Sequence, residues 1–170
     1  MKSKLLAIIS FVVFGFSTQL MAHGGATGVV KERMEQMSDM KNALKILSDM
    51  FRGKSDYDVQ QVRTQAKIIN NHAGDALTQF FPEGSLTAPS EANGKIWQQW
   101  ADFSALAVQL KSASGSLGEA AGQRAVAAPE VFLTMSMQAA PAKAVAPSAD
   151  SYFKTLTKTC SACHTKYRNE

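Results

Sequence analysis

The chain has 170 residues, 18 basic and 14 acidic, for a formal net charge of +4, and it holds only two cysteines. So small a charge, with no basic stripe carrying interleaved aromatics, excludes nucleic acid as a partner. The length suits one domain with enough residues to bury a core.

Residues 1–22 have the order of a secretory signal peptide. Lys2 and Lys4 open it, "LLAIISFVVFGF" supplies an apolar run, and "STQLMA" ends in the small residue Ala22. The run falls short of the ~20 residues a membrane span needs, so the processed chain is not expected to span a membrane. The expected mature protein is a single periplasmic domain, 23–170, and loss of Lys2 and Lys4 lowers its net charge to +2. In an oxidising compartment two nearby thiols end as a disulfide unless something else uses them.

The mature sequence reads as helix almost throughout. Val30, Met34, Met37, Met40, Leu44, Leu47 and Phe51 step by three and four, and Gly53 ends that stretch. A second helix opens at "KSDYD", capped by Ser55 or Asp56. It carries Val59, Val62, Ala66, Ile69, Ala73, Ala76 and Phe80 until Pro82 stops it. After the turn-rich "PEGSLTAPSEANG", a third shows Ile96, Trp100, Phe103, Ala107 and Leu110, continuing toward Leu117 and Ala121. An Ala- and Pro-rich connection over 123–147 follows, within which "PEVFLTMSMQAA" has the composition of a short helix. The last helix begins after Pro147 with Ser148 as cap, and its seam is Phe153, Leu156, Cys160, Cys163 and Tyr167. Alternating steps of three and four describe narrow buried stripes, so the expected fold is an all-α antiparallel four-helix bundle.

Both cysteines lie in "CSACHTKYRNE", and three chemistries compete for them. A thioredoxin-like pair belongs at the start of a helix after a strand, and here it sits far into a helix with no strand before it. Zinc needs two further ligands, and His23 and His72 have no ligand spacing. The remaining reading is C-x-x-C-H, the attachment sequence of haem c. Two thiols at i and i+3 on one helical face meet the two vinyl groups on one haem edge, and the histidine behind them reaches the iron.

With that motif on its last helix, the chain resembles the cytochrome c′ family and its low-spin relatives. The likeness rests on "CSACHTKYR", on "VVKERMEQMSDMKNALKILSDMFRG", and on "FFPEGS" and "IWQQW", so it covers all but the 123–147 connection. It implies one haem c per chain, thioether bonds from Cys160 and Cys163, His164 as proximal iron ligand and Arg168 as the basic group beside it. On the opposite haem face it puts a residue of the first helix, and the register of "RMEQM" points to Met37. Met34 is the alternative, as is a side chain that only covers the iron; His72 is expected to be a surface residue. Arg33, one turn before Met37, either faces a haem propionate or lies solvated on the helix. Tyr167 packs against the ring, with its hydroxyl a further candidate for a propionate.

Two functions follow. With Met37 on the iron the protein is a periplasmic electron carrier serving redox partners that the sequence does not name. With that position open it is a five-coordinate cytochrome c′ that binds or buffers NO or CO. No acid–base or nucleophile constellation accompanies the haem motif, so an enzyme is not expected. The resemblance also implies a homodimer.

Overall fold

The computed structural model describes residues 25–124 and 147–169. The expected signal peptide, His23 and the helix expected in "PEVFLTMSMQAA" lie outside them. Among the described residues six helices form: α1 (Gly28–Phe51), α2 (Val59–Asn71), α3 (Asp75–Thr78), α4 (Lys95–Gln98), α5 (Trp100–Glu119) and α6 (Ala149–Tyr167). A 3-10 turn, Ala120–Gly122, extends α5. Among the described residues there is no strand, only an isolated antiparallel bridge between Ala92 and Arg168.

The helix ends follow from local chemistry. α1 stops because Gly53 takes φ +70, letting Gly53 N donate to Met50 O and Lys54 N to Asp49 O. That pair of bonds satisfies carbonyls that the helix would otherwise leave bare. α2 starts at Val59 with Asp58 as cap, its carboxylate accepting from Gln61 N at 2.8 Å. This corrects the expectation of Ser55 or Asp56: the Tyr57 hydroxyl donates to Ala121 O at 2.7 Å, which fixes that residue ahead of the helix. Ser148 caps α6 as expected, accepting from Ser151 N.

α2 and α5 form the central pair, with α1 packed on α2 and α6 on α5. Leu47, Val62, Ile69, Ile96, Phe103, Leu117 and Leu156 are fully buried where these four helices converge. Phe51, the last residue of α1, stacks on Phe153 in the first turns of α6, with centroids 4.3 Å apart and planes at 4°. α1 and α6 are therefore antiparallel, and the start of α1 lies toward the end of α6.

Two expected continuities break. The second stretch is interrupted at Gly74, where φ is +67 and the amide donates to Ala107 O on α5 instead of staying in the helix. A Cβ there would come within 2.8 Å of Lys111 Cδ, so a larger residue forces either strain or a shift. In the third, Gln99 has φ −128 and ψ 40, outside the helical region. That turn rotates Trp100 off the expected seam, leaving it 42% exposed.

Candidate functional site

The end of α6 carries the site. Leu156, Thr159 and Tyr167 bury the side of this helix that meets α5. Cys160 and Cys163 lie beside them, half-buried and packed against the core. Both are free thiols, one helical turn apart on one face. Desolvation pushes both thiol pKa values up; Cys163, near Cys160 and Asp102, is pushed up to about 11. His164 follows on the exposed side, yet partial desolvation and the nearby Arg168 lower its pKa, opposed by Glu91. This favours the neutral imidazole, the form that ligates metals.

Tyr167 is buried, its ring edge-on to Phe103 at 5.4 Å. Its hydroxyl donates to Asp102 Oδ2 at 2.6 Å, which engages it with a carboxylate already present in the protein. Arg168 ends α6 and pairs with Glu91 at 2.5 Å.

On α1 the structure separates the three methionines. Met40 belongs to the core, while Met34 and Met37 are only half-buried and Met37 packs against the core's edge. His72 at the end of α2 sits 3.4 Å from Asp39 and so is tied to α1 away from the motif.

Of the two alternatives the sequence left for Arg33, the solvated one does not hold: the residue is 4% exposed. Its guanidinium donates to Phe80 O at 3.1 and 2.7 Å, Ser85 Oγ at 2.8 Å, Ser85 O at 3.3 Å and Ser90 Oγ at 2.8 Å. It also lies 4.1 Å over the Phe81 ring. No described carboxylate pairs with it, and burial lowers its pKa. Sequence reasoning missed this clamp, and Glu91 and Asp102 with it. The partners of Arg33 lie 47 to 57 residues away, so no local spacing announces them.

These groups fit a covalently held haem. Two adjacent thiols suit thioether bonds and a neutral imidazole suits iron. The half-buried apolar side chains of both helices would cover a planar ring.

Comparison with known proteins agrees. The solved structures similar to this chain include the cytochrome c′ of Rhodopseudomonas palustris, at 20% identity and TM-score 0.64, covering 85% of this chain and 98% of that one. The nitric oxide complex of a mutant cytochrome c′ from Alcaligenes xylosoxidans matches at 19% identity and TM-score 0.60, covering 84% and 94%. A cytochrome c′ described by its ligand-controlled dimer dissociation matches at 16% and TM-score 0.62, covering 84% and 95%. Identities this low speak for the fold alone. No curated protein matches the chain. The family model for cytochrome c′ matches residues 28–132, well over half the chain and wholly separate from the cysteine motif. Motif and family match are thus drawn from different residues, and this chain belongs to the cytochrome c′ family.

Proposed function

We propose that this protein binds a diatomic gas, NO or CO, at a haem iron in the periplasm. Like its family, it carries one covalently bound haem c per chain. In the proposal Cys160 and Cys163 make the thioether attachments, His164 is the proximal ligand and Met37 stands toward the opposite face. The bound haem supplies an iron that takes a diatomic ligand or exchanges an electron. α6 holds the two thiols and the imidazole on consecutive turns of a helix anchored by buried Leu156, Thr159 and Tyr167. Met37 is half-buried and packs against the core. What supports this reading is the seat of Met37, against the core rather than free, in a fold that elsewhere is seen with nitric oxide bound.

The methionine side chain itself favours a second reading. A thioether is a soft neutral ligand, and Met37 sulfur on the iron would give a low-spin, six-coordinate electron carrier. Absorption spectra of both oxidation states, followed by CO mixing with the reduced protein, separate the two. High-spin ferric iron and immediate CO uptake support gas binding. A low-spin spectrum, converted to high-spin by Met37→Ala, supports electron transfer. Neither reading, gas binding or electron transfer, assigns the protein a catalysed reaction. We also propose the homodimer that the family resemblance implies: gel filtration should give twice the mass of the chain, and elution as a monomer would count against it.

A further inference from the structure

α1 and α6 meet directly at one end through Phe51 and Phe153, whereas at the other end a loop stands between them. Residues 80–90 of that loop are gripped by Arg33 on α1. The next three residues are stitched to the end of α6. Asn93 N donates to Tyr167 O at 3.0 Å, Asn169 N to Glu91 O at 2.7 Å, and Ala92 bridges Arg168. Glu91 adds its ion pair with Arg168. Ser90 is the joint: its Oγ accepts from Arg33 and, at 3.3 Å, from Ala92 N.

We propose that Arg33 is a positioning residue: through the strap 80–93 it fastens α1 to the end of α6 and so sets the separation between the helix carrying Met37 and the helix carrying His164. This rests on reading Cys160, Cys163 and His164 as the haem site. Three features carry it. Arg33 lies one turn before Met37 on the same side of α1, so a pull on one moves the other. A planar fork of five donors holding several loop oxygens transmits position better than one flexible contact. The far anchor lies within a few residues of His164, so strap length translates into helix spacing.

The deciding variant is Ser85→Ala with Ser90→Ala, which removes side-chain acceptors of the clamp and leaves the charge of Arg33 in place. It is made in the full haem-loaded chain beside Phe51→Ala, which loosens the opposite α1–α6 contact. Amide exchange at Asn93 and Asn169 reads the strap without reference to haem chemistry. Spin state and CO association read the site. Expected is faster exchange at both amides together with a changed spin state or CO rate, by about tenfold, the scale on which packed contacts couple distant groups. Phe51→Ala is expected to lower stability and leave both site readouts unchanged. Unchanged exchange overturns the strap. Faster exchange with an unaltered site overturns its positioning role, as does an equal site change from Phe51→Ala. An unmodified protein that refuses CO counts against gas binding but not against the strap, because spin state then reports the position of Met37.

Discussion

At one end of the bundle α1 and α6 meet ring to ring; at the other they meet through a loop. The first end is built from Phe51 stacked on Phe153, Tyr57 edge-on to Phe51 at 5.3 Å, and Arg124 over both Phe51 and Tyr57. Arg124 also pairs with Asp150 at 2.8 Å. The second end holds the half-buried Met37, Cys160 and Cys163, and no aromatic pair among the described residues joins the two helices there. The same steps of three and four run through both ends. Periodicity thus shows which side chains turn inward, but not whether they meet protein or cofactor. The candidate site residues gather at the second end, so substitutions at the ring-stacked end are expected to act on stability and those at the site on the spectrum.

The largest expected effect is at the chemical end. Cys160→Ala with Cys163→Ala should release all haem into the organic layer on acid–acetone extraction, where the unmodified protein retains it. Next comes the core between the ends. Met40→Ala should cost about 2–5 kcal/mol in urea unfolding, as buried methionines do, and leave the spectrum unchanged. Met37→Ala should do the reverse, costing less stability because the side chain is half-buried and altering the spectrum. Equal spectral changes from the two would erase the contrast between core and site. At the ring-stacked end, Phe51→Ala should cost about 1–3 kcal/mol, less than a fully buried Phe, with haem spectra intact.

How far these features could be read from the sequence depended on the range of the interactions behind them. The end of α1 at Gly53, the Ser148 cap and the haem motif are all decided by residues a few positions apart, and the structure has helix ends at both caps. The start of α2 was not readable, because "KSDYD" offers several capping side chains and the choice falls to the bond from Tyr57 to Ala121, 64 residues on. Trp100 looked like a seam residue only on the premise of an unbroken helix, which Gln99 violates. Arg33 was left between a propionate partner and solvent because every partner it has here is supplied by a distant loop. The register that singled out Met37 came from family resemblance; periodicity alone put Met34, Met37 and Met40 on one stripe.

The long connection offers a smaller effect. Its ends are already pinned, Ala149 N donating to Gln123 O at 2.9 Å and Arg124 pairing with Asp150. Closure entropy changes by only about 0.6 kcal/mol per doubling of loop length. On closure entropy alone, replacing 126–146 by a short Gly/Ser linker should shift stability by about 1 kcal/mol or less, and a larger loss would show that the connection contributes contacts of its own. A spectral change would tie the connection to the site rather than to the ring-stacked end.

The smallest effect expected is electrostatic and sits beside the cysteines. Asp102, in the first turn of α5, accepts from Tyr167 Oη at 2.6 Å and Lys166 Nζ at 2.9 Å. The Tyr167 hydrogen bond, then that of Lys166, holds its carboxyl below the usual range. A folded pKa below the unfolded one means the carboxylate stabilises the fold at pH values above the unfolded pKa, near 3.9. That contribution is lost as pH falls through the folded value. Both ionic partners are exposed, so water and salt screen the pair and its worth is small. Asp102→Asn keeps an oxygen acceptor for Tyr167 and removes only the charge. Urea unfolding at several pH values should show the largest difference from the unmodified protein near neutrality, shrinking below about pH 4. A difference constant across that range would mean that the neutral hydrogen bond, not the carboxylate charge, ties α5 to the end of α6.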